Sequence, residues 1–118
     1  MATGIPEARR RLAAILAADV AGSSRMMAED EAAALAALDR LRRAVLEPRI
    51  AAHGGRLFKA MGDGFLAEFP SAVGALGCAL QVQEALRTED GPTLRTAVHQ
   101  GDVVVVEGGS DLLGDGVN

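Results

Sequence analysis

Two aspartates stand where their chemistry would matter most. Asp19 ends the apolar run Leu12-Ala-Ala-Ile-Leu-Ala-Ala-Asp19, and Asp63 sits at the tip of Met61-Gly62-Asp63-Gly64-Phe65. Carboxylates held on adjacent strand ends can share a pair of divalent cations, and such pairs drive phosphoryl-transfer chemistry. A further polar cluster, Asp111-Leu-Leu-Gly114-Asp115-Gly116-Val-Asn118, lies near the C-terminal end. Each aspartate also has a plainer use. Asp-Gly is a favoured hairpin tip, and Asp19 could cap the helix that follows it or simply close a strand. By period two, Lys59 shares a strand face with Leu57 and Met61. It is therefore either a binding group among apolar neighbours or a charge that keeps an edge strand from mispairing.

The scaffold for these residues is small. A chain of 118 residues makes one domain with a real core. Hydrophobic residues are 49% and aromatics only 3%, so that core must be built from Ala, Leu and Val. The net charge is −4 and the longest basic run is Arg9-Arg10-Arg11, which argues against a nucleic-acid surface and suits divalent metal. An anionic substrate would arrive with its metal. The single cysteine, Cys78, excludes an intrachain disulfide and is expected to be a small core residue on a helix. The apolar stretch after Arg11 stops at Asp19, too short for a signal peptide, and no run reaches the ~20 residues of a membrane span. The expectation is a cytoplasmic protein with no membrane partner.

Along the chain, residues 1–9 read as an N-terminal arm and residues 10–118 as one domain. Residues 11–20 read as a strand buried on both faces, although their alanines would also permit helix, and Gly22-Ser23-Ser24 breaks the run. Residues 28–52 read as a helix, with Leu38, Leu41 and Val45 at helical spacing. Glu29, Asp30 and Glu31 precede Arg40, Arg42 and Arg43, the order a helix dipole favours. Pro48 should kink or end this helix, with His53 at its end and Gly54-Gly55 terminating it. Residues 56–61 and 65–69 form a hairpin around Gly-Asp-Gly. Residues 71–87 form a second helix, with Val73, Leu76, Leu80 and Val82 or Gln83 turned inward. Residues 94–98 and 102–106 read as two strands joined through His99-Gln100-Gly101. Strand–helix–strand–strand–helix–strand is the split βαβ order, so the fold class is α+β, an antiparallel sheet with both helices on one face. Glu68, Asp102, Glu107 and Asp115 read as surface acids. His53 and His99, far apart and without cysteine partners, do not make a zinc site.

Five segments together resemble a known family: Leu16-Ala-Ala-Asp-Val-Ala-Gly22-Ser-Ser24, His53-Gly-Gly-Arg56, Phe58-Lys-Ala-Met-Gly-Asp-Gly64, Arg95 through Gly101, and Asp111 through Asn118. In order and spacing they resemble the class III nucleotidyl cyclase catalytic domain, in particular its bacterial adenylate cyclase branch. The resemblance implies a ferredoxin-like palm that cyclises a nucleoside triphosphate and releases pyrophosphate. By that resemblance Asp19 and Asp63, with the backbone carbonyl of Val20, hold two Mg²⁺ or Mn²⁺. Backbone N–H groups of Gly22, Ser23 and Ser24 receive phosphate oxygens. Lys59 and Asp111 take the base-selecting positions. Lysine donates to adenine N1 and aspartate accepts from the 6-amino group, whereas guanine mismatches both at about 1–3 kcal/mol for each unsatisfied partner. ATP is therefore the expected substrate. Asn118 matches the asparagine that orients the ribose. In relatives the site is shared across a head-to-tail homodimer, with the metal aspartates from one subunit and the base pair and asparagine from the other.

Two departures accompany the resemblance. The family's transition-state arginine falls four residues after Asn118, where this chain has no residue, so the domain reads as lacking its C-terminal part. Loss of one such donor costs about 10²–10³ in rate. Ser23 replaces a usual aromatic. These departures favour a competing reading, a non-catalytic cyclase-like module that dimerises or binds nucleotide to regulate a neighbour. The presence together of Asp19, Asp63, Lys59 and Asp111 favours the enzyme. A palm of the diguanylate cyclase type fits Lys59 and Asp111 less well.

Overall fold

A computed structural model describes residues 8–62, 64–88, 91–106 and 112–114, with side-chain surroundings over 12–62, 64–88 and 91–101. In chain order the elements are β1 (Ala8–Val20), α1 (Ser23–Glu29), α2 (Glu31–Arg40), a π-helical turn (Leu41–Leu46), α3 (Glu47–Ala52), β2 (Arg56–Met61), β3 (Gly64–Phe69), α4 (Ala72–Thr88), β4 (Leu94–Val106) and β5 (Leu112–Gly114). The sheet runs β2-β3-β1-β4-β5, and every neighbouring pair is antiparallel. Its first four strands have the order of a ferredoxin-like palm.

β1 is the central strand, and alternation explains why its sequence is almost wholly apolar. Ala14, Leu16, Ala18 and Val20 face the helices, where they join Phe65, Ala67 and Phe69 of β3 and the inward residues of α2, α3 and α4 in one core. Ala13 and Ile15 point the other way and are just as buried, packed by Phe58 and Leu66. The strand starts at Ala8, inside the stretch read as an arm, and pairs with β4 along its whole length, from Ala8 opposite Val106 to Val20 opposite Leu94.

That long partner explains one correction. His99, Gln100 and Gly101 do not join two strands; they lie within a continuous β4, opposite Ile15, Ala14 and Ala13. A second correction concerns the first helical region, which begins at Ser23 and is broken at Asp30, whose backbone is extended at φ −160°. The Asp30 carboxylate accepts from the Ala33 N–H at 3.0 Å and caps α2. Pro48 does not end the helix. The π-helical turn ahead of it lets the chain re-enter α-geometry with Pro48 in the first turn of α3, where a missing N–H is tolerated. The Arg49 guanidinium donates to the carbonyls of Ala44 and Val45 across that turn. At the far end, Gly54 at φ 76° allows a Schellman closure, with Gly55 N–H to the Ile50 carbonyl at 2.8 Å and Gly54 N–H to the Ala51 carbonyl at 3.0 Å.

α4 presents a different face from the one its leucine spacing implied. Ala75, Cys78, Ala79, Val82, Ala85 and Leu86 are buried, while Val73, Leu76 and Leu80 are exposed. The reason is close approach. A Cβ at Gly74 would lie 3.0 Å from the His53 carbonyl, and one at Gly77 would lie 3.1 Å from the His53 ring. Only the small-residue stripe lets α4 come this near to the end of α3. Cys78 is buried there as expected.

Candidate active site

The helices cover one face of the sheet, and the residues of chemical interest collect on the other. At the end of β1, Asp19 pairs with Gly64 of β3 on one side and Arg95 of β4 on the other. Arg95 Nε donates to Asp19 Oδ1 at 2.7 Å. This ion pair is open to solvent, with the Asp19 side chain 45% and that of Arg95 68% exposed. The next residue, Val20, buries its side chain in the core, so only its backbone is available at the strand end. The Ala21 N–H then bonds the Thr93 carbonyl at 2.9 Å, which ties the strand exit to the start of β4. Gly22 at φ 77° turns the chain into α1, whose first two residues are Ser23 and Ser24. A side chain at that φ would be strained.

Lys59 reaches the same face through an irregularity. The β2–β3 register shifts between Leu57 and Lys59, a bulge in which one strand carries an extra residue. Leu57 packs against the helix-side core, and Phe58 packs on the opposite face with Ala13 and Ile15. Lys59 then stands opposite Leu66, and Met61 opposite Gly64. The expectation that Leu57, Lys59 and Met61 share a face is thus corrected, because the bulge resets the alternation after Leu57. A concavity of about 370 Å³ lies across this region, lined among others by Asp19, Lys59, Met61, Leu66 and Arg95.

No protein-family model matches the chain. It is 49% identical over 117 residues to "Putative adenylate cyclase 3" of Rhizobium meliloti (strain 1021), covering 93% of this chain and 20% of that protein, so it spans about a fifth of that relative's length. The crystal structure of an adenylate/guanylate cyclase/hydrolase from Silicibacter pomeroyi is 43% identical, superposes with a TM-score of 0.83, and is matched over 95% of this chain and 68% of its own. This chain belongs to the class III adenylate/guanylate cyclase family. A bacterial light-regulated adenylyl cyclase, 20% identical with a TM-score of 0.85 over 94% of this chain and 38% of its own, shares the fold.

In this cyclase domain, the structure brings together Asp19 and Lys59 on one concavity, with Val20, Gly22, Ser23 and Ser24 following directly from the end of β1. Asp63, Asp111 and Asn118 lie outside the described residues. Among the described residues, no group of three or more His, Cys, Asp and Glu side chains is placed to hold a metal. Two features escaped the sequence reading. Arg95 was visible only as part of a motif, and its partnership with Asp19 depends on the β1–β4 register. Glu68, read as a surface acid, is buried; its Oε1 accepts from Arg56 Nη2 at 2.8 Å and Nε at 3.1 Å, directly across β2–β3. The resolved pKa shifts lie away from the site. Hydrogen bonding from Arg42 holds the Asp39 carboxyl below its ordinary value, and burial pushes the Cys78 thiol up.

Proposed function

We propose that this cyclase domain converts ATP to cyclic AMP and pyrophosphate. The observation that supports this best is the meeting of Asp19 with Gly64, the neighbour of Asp63, at the rim of an open concavity. The donor chemistry fits a hard divalent cation, since Asp19 offers a half-exposed carboxylate and Val20 only its backbone oxygen. Asp19, Asp63 and the Val20 carbonyl would hold two Mg²⁺ or Mn²⁺. Bound there, the cations would supply Lewis-acid activation of the ribose 3′-hydroxyl and neutralise charge on the departing pyrophosphate.

The chain's own residues do the rest of the work in this reading. The N–H groups at Gly22, Ser23 and Ser24 bind phosphate oxygens at the turn into α1. Lys59 donates to adenine N1, Asp111 accepts from the 6-amino group, and Asn118 orients the ribose so that the 3′-oxygen meets the α-phosphate in line. Asp19 and Lys59 share the open face of one chain. Two copies packed head to tail through that face would give each site its metal aspartates from one subunit and its base-reading pair from the other, with two sites per homodimer.

The test is product formation from Mn²⁺–ATP and Mn²⁺–GTP, resolved by chromatography, for this chain extended to the full length of its relatives' catalytic domain and for its Asp63→Ala and Lys59→Glu variants. Cyclic AMP from ATP alone, lost in Asp63→Ala and with weakened ATP/GTP discrimination in Lys59→Glu, is the expected result. Cyclic GMP as the main product would overturn the base assignment. Nucleotide binding without either product would favour the non-catalytic module.

A further inference from the structure

We infer that Arg95 gates metal loading, because it competes with a divalent cation for the Asp19 carboxylate. The inference rests on the reading of Asp19 as a metal ligand and goes beyond it. Arg95 Nε lies 2.7 Å from Asp19 Oδ1. The two residues face each other directly across β1–β4, so the pairing is fixed by the sheet and not by a mobile loop. A carboxylate oxygen that already accepts from a guanidinium has one fewer lone pair to offer a cation. A guanidinium hydrogen-bonded to that oxygen also sets a positive charge within a few ångströms of the incoming ion, where repulsion is only partly screened. Both effects oppose binding. Arg95 can yield, because its side chain is 68% exposed and has open solvent to move into. Exposed ion pairs are weak, so the gate is one that an ordinary cation concentration can open.

Arg95 could instead orient Asp19 toward the metal, as hydrogen-bonded partners of ligating carboxylates do. The two roles predict opposite signs. Competition means that Arg95→Ala tightens cation binding, whereas orientation means that it weakens it. Arg95→Lys should fall near wild type under competition, because the charge and one donor remain.

The experiment is Mn²⁺ titration of the 118-residue chain followed by electron paramagnetic resonance of the free ion, without nucleotide, for wild type, Arg95→Ala, Arg95→Lys and Asp19→Asn, with circular dichroism to show that each is folded. The expected result is affinity about twofold to fivefold tighter in Arg95→Ala, little changed in Arg95→Lys, and strongly weakened in Asp19→Asn. If wild-type binding is below detection, gain of measurable binding in Arg95→Ala supports the gate and no gain overturns it. Unchanged or weaker binding in Arg95→Ala, with Asp19→Asn still defective, overturns the gate and leaves the metal assignment standing. Wild-type affinity in Asp19→Asn removes Asp19 from the metal site, and the gate falls with it.

Discussion

The two faces of this sheet are made from the same strands yet do different work. On the helix-backed face, Ala14, Leu16, Ala18, Val20, Phe65, Ala67 and Phe69 merge with α2–α4 into one continuous apolar core. On the open face, one residue out of phase along the same strands, lie Asp19, Lys59 and Arg95 around a shallow concavity, with the small Ala13–Ile15 cluster and the Arg56–Glu68 pair beside them. The contrast shows how a small chain with few aromatics separates its apolar core from its charged side chains. Period-two alternation sends every second side chain of β1 to each task. The core can then be dense and invariant in shape while the open face carries charges that would be too costly inside it.

The sharpest way to break this division is at Phe69. Its ring is fully buried and so near Gly55 that a Cβ there would fall 2.4 Å from it. Phe69→Ala should cost about 3–5 kcal/mol in urea unfolding. Asp19→Asn, by contrast, changes an exposed pair and should stay within about 0.5 kcal/mol. Equal costs for the two variants would mean that the faces do not divide stability from chemistry as described.

A smaller effect tests the one place where the open face holds a buried charge. Glu68 is 8% exposed and accepts twice from Arg56. Arg56→Ala removes those donors from a carboxylate that remains largely out of water, at about 1–3 kcal/mol. Adding Glu68→Gln should recover part of that loss, since the uncompensated charge is then gone. A double mutant with simply additive costs would show that the pair is not coupled.

How much of this was legible in the sequence depends on how local the cause was. The apolar run ending at Asp19 and the Gly-Asp-Gly hairpin carry their structure in neighbouring residues, and both formed where expected. The bulge before Lys59 could not be read, because an extra residue in a strand has no signature in its own composition and appears only in the partner's register. His99-Gln-Gly101 looks like a turn until a strand as long as β1 is there to hold it extended. Pro48 looks like a helix end until the π-helical turn absorbs it. The site followed the same rule. Asp19 and Lys59 stood out by residue type, while the Arg95 partnership needed the β1–β4 alignment.

The smallest effect is the most direct test of tertiary context over pattern, and it lies on α4. This helix carries two apolar stripes. The one with the larger side chains, Val73, Leu76 and Leu80, is the natural choice for burial on hydrophobicity alone. It is instead the outer one, with Val73 81% and Leu80 71% exposed, because α4 passes close to His53, where a Cβ at Gly74 or Gly77 would fall about 3 Å from the His53 carbonyl or ring. Leu80→Gln should therefore shift stability by no more than about 0.5 kcal/mol in thermal melts. Enlarging the inner stripe by Ala79→Leu, although it adds apolar surface, should cost about 1–3 kcal/mol through overpacking. The opposite ranking would mean that the leucine stripe faces the core after all. In that event α4 would be rotated about its axis, and the close contacts of Gly74 and Gly77 with His53 could not hold.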